Sequence, residues 1–245
     1  MKFLTLVALA TLFVATPALA QQPTTKPKAD SAHAKMEGMK HDMNGMKGMN
    51  HDDPDQAVQG GGKLPEGWSA RTDRDAPLSN VKFVSMGDGF HATMGPAAIL
   101  YRESDKVNGP FHAVASFTQT KAPTHPEAYG LFFGGKALDG EGQQYTYFLV
   151  RGDGKFLVKQ RNGAETKNLS EGWTANAAVK SQDEAGKATN KLEIDATTPG
   201  KVKFLANGTS VYEMDASPAD INGIVGLRIN HNLDVHVAGF GVHPR

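Results

Sequence analysis

The chain is 245 residues long, with 26 lysines and arginines against 26 aspartates and glutamates, a formal charge of zero, 39% hydrophobic residues and no cysteine. A balanced charge with no basic cluster gives no source for the phosphate attraction that drives nucleic-acid binding, which argues against nucleic acid as a partner. The missing cysteine excludes disulfides, a zinc–thiolate centre, a thiol nucleophile and a lipid-bearing thiol.

The chain begins with the basic pair Met1-Lys2, an apolar run from Phe3 to Val14 and the small-residue site Ala18-Leu19-Ala20. That order describes a secretory signal peptide over residues 1–20, so the protein is expected to be exported, periplasmic or secreted, and bacterial in type. No later segment approaches the roughly 20 apolar residues of a membrane-spanning helix, so no transmembrane anchor is expected.

Residues 21–63 read as a tether, rich in Pro, Lys, Gln, Asp, Gly and Met and without an aromatic side chain. Such a segment buries too little surface to offset its ordering entropy, and disorder is expected. Within it, His33, Met36, Met39, His41, Met43, Met46, Met49 and His51 form a string of soft thioethers and borderline imidazoles. This donor set suits copper better than hard cations, which take oxygen ligands. The Met spacing could align sulfurs on a helix face, but Gly38, Gly45 and Gly48 each cost about 1 kcal/mol in a helix interior. A segment that folds around the metal is the reading for copper; a solvated linker whose methionines scavenge oxidants is the alternative. Gly60-Gly61-Gly62 is expected to act as a flexible joint.

From Leu64 to Arg245 the period changes to two. Short β-rich runs occur at Val81–Met86, Phe90–Met94, Ala98–Arg102, Phe111–Thr120, Tyr129–Phe133 and Gln144–Arg151. Further runs occupy Phe156–Arg161, Leu192–Ala196, Val202–Ala206, Ser210–Met214, Gly226–Asn230 and Leu233–Val237. Many short strands without a long helical stretch predict an all-β, two-sheet sandwich. Asp153-Gly154 and Asn207-Gly208 are placed as tight hairpin turns, since both dipeptides tolerate positive φ. Leu192 and Ile194, then Val202, Phe204 and Ala206, alternate with charged neighbours and are expected to face the core. Phe240 falls one residue out of phase after Gly239, which predicts a bulge.

The succession Asn190-Lys191-Leu192-Glu193-Ile194, Lys201-Val202-Lys203-Phe204-Leu205-Ala206-Asn207-Gly208, Gly223-Ile224-Val225-Gly226-Leu227-Arg228 and Val235-His236-Val237-Ala238-Gly239-Phe240 resembles the concanavalin A-like lectin/glucanase superfamily. It is most similar to laminin-G-like modules and to the bacterial 3-keto-disaccharide hydrolase domain. The resemblance covers much of Phe90 to Val242 and implies a jelly-roll fold. It implies less about activity, because one fold hosts many functions. The tether resembles Met-rich segments of bacterial periplasmic copper-handling proteins.

A glycosidase would need two carboxylates flanking the scissile bond. Glu193 and Asp195 share a strand face, but Thr198 stands where the related glucanases carry a third carboxylate, so a solvated strand face is the preferred reading. His125-Pro126-Glu127 matches the H-x-E of zinc deaminases without their cysteines and reads as a loop. Arg151-Gly152-Asp153 spells a cell-attachment tripeptide, although its residues suffice to make a turn. Asp139 and Glu141 could give oxygens to calcium; a plain acidic loop is the simpler reading.

Sugar recognition uses stacked rings and planar polar groups. Tyr145, Tyr147, Arg151, Lys159, Arg161, Arg228 and His231 are the candidate ligand-binding residues, against the alternative that the tyrosines only pack in the sandwich. These features predict a noncatalytic module for a glycan or another extracellular or cell-envelope ligand, with copper on its tether. A hydrolase resembling the 3-keto-disaccharide enzymes, with catalytic residues unassigned, and a periplasmic copper-handling protein are the alternatives.

Overall fold

The computed structural model describes residues 54–245; the expected signal peptide and the string from His33 to His51 lie outside the described residues. In chain order the strands are β1 (Ser69–Thr72), β2 (Val81–Met86), β3 (Gly89–Met94), β4 (Ala98–Val107) and β5 (Phe111–Gln119). They continue with β6 (Ala128–Lys136), β7 (Gln144–Arg151), β8 (Lys155–Asn162), β9 (Glu165–Asn168) and β10 (Thr174–Ala175). The last five are β11 (Ala188–Asp195), β12 (Lys201–Ala206), β13 (Thr209–Asp215), β14 (Gly223–Ile229) and β15 (Asp234–Pro244). A single turn of helix, α1 (Pro218–Ile221), precedes β14. Among the described residues no helix is long and apolar enough to cross a membrane.

The strands form two antiparallel sheets packed as a jelly-roll sandwich, as the alternation predicts. One runs β1-β4-β14-β6-β7-β8-β10, with β9 also paired to β8; the other runs β13-β12-β11-β5-β15-β3-β2. Strand β5 shows the logic: Phe111, Ala113, Ala115 and Phe117 are buried while His112, Val114, Ser116 and Thr118 are partly exposed. Across the layer, Phe204 of β12 meets Phe133 of β6 at 6.1 Å and Phe148 of β7 at 5.5 Å between ring centroids. Each such ring removes roughly 1.5–3 kcal/mol worth of apolar surface from water.

Local details follow chain chemistry. Asn207 and Gly208 both take positive φ, 52° and 81°, as an Asn-Gly hairpin requires. Asp153-Gly154 lies in the tight turn that joins β7 to β8, as expected, although only Gly154 takes positive φ, at 77°; its N–H donates to the Arg151 carbonyl at 3.1 Å and closes the turn over residues 151–154. The predicted bulge in β15 is present, with a register shift between Ala238 and Gly241 and Gly239 at φ 60°. It turns Phe240 onto Trp68, 5.5 Å away.

Contacts to the sandwich reach upstream of Leu64. The Gln56 N–H donates to Asn232 Oδ1 at 2.6 Å, Asn232 Nδ2 donates to the Pro54 carbonyl at 3.3 Å, and the Gly62 N–H donates to the Val81 carbonyl at 3.0 Å. A side chain at Gly61 would stand 2.3 Å from the Ser79 and Val81 carbonyl oxygens, so close backbone approach explains that glycine.

Candidate functional site

The outer face of the eight-stranded sheet gathers most of the predicted ligand residues. Register pairs Tyr145 with Arg161 and Tyr147 with Lys159 across β7 and β8, and Ala128 with Arg151 and Phe132 with Tyr147 across β6 and β7. Arg228 sits opposite Gly130 on β6 and Ile99 on β4, and Gly226 sits opposite Tyr101. With a period of two, Tyr145, Tyr147, Arg151, Lys159, Arg161 and Arg228 therefore share one face. His231 does not; it lies in the loop after β14.

Three of these side chains are covered. Tyr145 is 3% exposed, Tyr147 7% and Arg228 7%; the two tyrosines belong to a second apolar cluster with Ile99, Tyr101, Phe132 and Leu149, against which Trp173 packs. The two tyrosine rings lie 5.4 Å apart. Arg228 is held by a residue that sequence patterning gave no reason to choose: β1 pairs with β4 and carries Asp73 over the face, where both carboxylate oxygens take the guanidinium fork at 2.7 and 2.6 Å. Burial would raise the Asp73 pKa, but the hydrogen bonds and charge of Arg228 hold it below the usual carboxylate range. The same pairing keeps Arg228 protonated against the cost of burial. Burial raises the Tyr147 hydroxyl pKa, so the ring enters this layer as a neutral group.

Arg151, Lys159 and Arg161 keep partial exposure. The Arg151 guanidinium lies 4.3 Å from the Trp173 ring centroid and its Nε donates to Asp153 Oδ1 at 3.0 Å. That folds the Arg-Gly-Asp tripeptide onto itself, with Gly152 buried, rather than presenting it. His231 bridges carboxylates: its Nε2 is 2.7 Å from Glu127 Oε1 and its Nδ1 3.3 Å from Asp55 Oδ1. Asn230 donates to the other Glu127 oxygen at 3.1 Å. The His125-Pro126-Glu127 loop thus supplies a structural acceptor.

The open space on this face lies toward the far end of β4, β14 and β6, where sequence reasoning placed no site. A cleft of about 710 Å³ is lined by Tyr101, Leu138 and Ile224, with Ser69, Asn108 and Asn222 as neutral polar groups and Glu103 and Asp139 as carboxylates. Register shifts between Ile224 and Gly226 and between Phe133 and Lys136 lie beside it. A side chain at Gly223, whose φ is 143°, would collide with Gly134 and Gly135, which fixes glycine at this wall. Burial, then the charges of Asp139 and Glu103, raise the Tyr101 pKa, so its hydroxyl remains a donor at neutral pH. The signal available in sequence was a tyrosine beside polar residues in a strand longer than predicted.

The other proposed chemistries are accounted for by local bonds. Glu193 and Asp195 lie on the outer face of the seven-stranded sheet; Glu193 contacts His112 at 3.0 Å and Lys191 at 3.2 Å, and Asp195 accepts from the Thr197 N–H at 2.9 Å. Among the described residues no group of three His, Asp or Glu side chains could hold a metal ion.

No protein-family model matches the sequence, and no curated protein matches it. Among solved structures the chain is similar to the carbohydrate-binding module CBM66 from Bacillus subtilis, with a TM-score of 0.54 at 11% identity over 77% of this chain and 99% of that one. It is also similar to the metal-free carbohydrate recognition domain of Emp46p, at 0.48 and 12% over 72% and 88%. A third match is the Caenorhabditis elegans galectin LEC-6, at 0.38 and 13% over 68% and 99%. The first of these establishes a shared sandwich fold.

Proposed function

We propose that the sandwich is an exported, noncatalytic carbohydrate-binding module whose glycan lies in the cleft lined by Tyr101, Leu138 and Ile224. The observation that carries this reading is the cleft itself: an aromatic and aliphatic lining beside amide, hydroxyl and carboxylate groups, of a size that ligand pockets occupy. The fold shared with a carbohydrate-binding module supports it by analogy. The test is a glycan array followed by calorimetry. Binding with Kd between about 10 µM and 1 mM is expected, with Tyr101→Ala weakening it at least tenfold. Full binding in that variant would move the site elsewhere, and an empty array would end the proposal.

Glu103 and Asp139 on the same cleft are the observation favouring a second reading, a glycoside or 3-keto-glycoside hydrolase. Turnover of array-positive sugars that Glu103→Gln or Asp139→Asn abolishes would replace the noncatalytic reading. For the tether, the proposal is copper capture by His33, Met36, Met39, His41, Met43, Met46, Met49 and His51, supported by donor chemistry alone. Titration of a peptide spanning residues 32–53 with Cu(I) under reducing conditions tests it; no binding tighter than about 1 µM, or about 8 kcal/mol, would sink it.

A further inference from the structure

The cleft at Tyr101 carries its charges unevenly, and each can be traced to a feature of the chain. Strand β4 sets four residues, Arg102 to Asp105, across from the single residue Val225 of β14, because the register passes from Tyr101 opposite Gly226 to Lys106 opposite Ile224. Two of the four close on each other. Arg102 gives its fork to Asp105 at 2.6 and 3.1 Å, and the same guanidinium lies 5.0 Å from the Trp68 ring centroid and 5.4 Å from that of Phe240. Glu103 is the charged residue of this bulge that lines the cleft.

The second carboxylate comes from the β6–β7 loop. Leu138, 3% exposed, anchors that loop in the second apolar cluster, and the Gly140 N–H donates to the Ala137 carbonyl at 3.1 Å. Asp139 therefore stands on a fixed turn. Neither Glu103 nor Asp139 has a hydrogen-bond or ion-pair partner among the described residues. No third carboxylate or imidazole joins them there, which suits the pair to an ammonium rather than to a divalent cation.

The neighbouring cations are mostly committed. Arg71 faces Asp75 at 3.6 Å, Arg102 belongs to Asp105, and Lys136 Nζ donates to the Ala219 carbonyl at 2.8 Å, toward α1. Lys106 has no anionic partner among the described residues, but it sits two positions along β14 from Tyr101, roughly 7 Å at the strand rise. The Tyr101 end of the cleft is thus the acidic one. Tyr101 itself gives that end a second binding group: the side chain is 6% exposed and lines the cleft, and its hydroxyl has no hydrogen-bond partner among the described residues. A ligand can take it without breaking a bond within the protein.

Resting on the reading of this cleft as the glycan site, we propose that it selects glycans carrying a free amino group, with the ring ammonium held by Glu103 and Asp139 and a neighbouring hydroxyl or ring oxygen on the Tyr101 hydroxyl. A sugar with a hydroxyl in place of the amine offers the same ring without the charge, so the preference reads the two carboxylates.

The test is calorimetry on the chain from Gln21 to Arg245 at about pH 6, where a sugar amine is protonated. Two sets of sugars differ only at C2: the β-1,4-linked trimers of glucosamine, N-acetylglucosamine and glucose, and the methyl glycosides of galactosamine, N-acetylgalactosamine and galactose. In at least one set the amine should bind at least about fivefold more tightly than the hydroxyl member, the scale of one solvent-exposed ion pair. That ratio should fall toward one in about 1 M salt. Glu103→Gln combined with Asp139→Asn should bring it to about one at low salt, whereas Lys106→Met, which removes the opposing charge, should raise it, both with an unchanged denaturation midpoint. Loss of shape alone does not give effects of opposite sign. Equal or tighter binding of the uncharged members in both sets, or a ratio indifferent to the carboxylate substitutions, would overturn the proposal and leave the cleft's glycan role standing. A preference that EDTA removes would assign the carboxylates to a metal ion and overturn it as well. Failure of both sets beside an array positive for other glycans would overturn it alone; an array without any binder would remove both readings.

Discussion

Arg228 is a buried cation, 7% exposed, on the outer face of the eight-stranded sheet. Its position on the shared face follows from the period of two, but its fork is occupied by Asp73, 155 residues away in the chain. Removing that partner leaves a buried guanidinium without its counter-charge. Asp73→Asn is therefore expected to cost roughly 2–3 kcal/mol, less than for a fully buried pair because Asp73 is itself a third exposed. A lower urea midpoint at unchanged slope would register it. Asp73 and Asp234 also set an acid limit. Burial opposes ionisation of Asp234, but His91, Lys121 and Thr93 outweigh it and hold its pKa below the ordinary value. Groups with depressed folded pKa values stabilise fully above the unfolded value, about 3.9, and lose that contribution as pH falls through the folded one. The urea midpoint should therefore fall between about pH 4 and pH 2, and the Asp234→Asn protein should show a shallower fall.

Between elements, a single buried amide ties three segments together. Asn190 on β11 donates to the Tyr129 hydroxyl on β6 at 3.2 Å and to the Lys180 carbonyl at 3.2 Å. Its oxygen accepts from the Lys180 N–H at 2.8 Å and from Asn207 Nδ2 at 2.8 Å. Every hydrogen-bonding capacity of the amide is used, which makes a polar side chain tolerable at 0% exposure. Burial pushes the Tyr129 hydroxyl up to about 12, so it stays neutral in the core. Asn190→Leu should destabilise by about 2–4 kcal/mol because several partners lose their bonds at once. A double-mutant cycle with Tyr129→Phe should return positive coupling, and strict additivity would refute the network.

The molecule as a whole depends on two apolar layers rather than the one that alternation reveals. β6, β7 and β14 are buried along nearly their full lengths, because Ile99, Tyr101, Phe132, Tyr145 and Tyr147 build a second cluster outside the sandwich core. Residues 54–62 belong to this compact unit and are tied to it through Pro54, Gln56 and Gly62. A chain starting at Leu64 should accordingly be less stable than one starting at Pro54 by about 2–4 kcal/mol, since several hydrogen bonds worth about 0.5–1.5 kcal/mol each disappear. Equal denaturation midpoints for the two truncations would show those contacts to be idle. Strands β1, β9 and β10 were illegible in sequence for a related reason. Each is short and lies at or near a sheet margin, so none carries the apolar alternation that marks a strand in the middle of a sandwich.

The two-layer β architecture, the core-facing residues of β11 and β12, the Asn207-Gly208 turn and the bulge at Gly239 were all present in local pattern, because backbone geometry imposes a period of two and a demand for positive φ at defined places. Local pattern also put Tyr145 and Tyr147 on a common face, and the β7–β8 register added Arg161 to it. Only the tertiary structure decided which of those side chains meet solvent, since that depends on Asp73 and Trp173 arriving from distant loops. It likewise placed the cleft at Tyr101. Cavities arise where several segments meet, and no window of sequence contains that meeting.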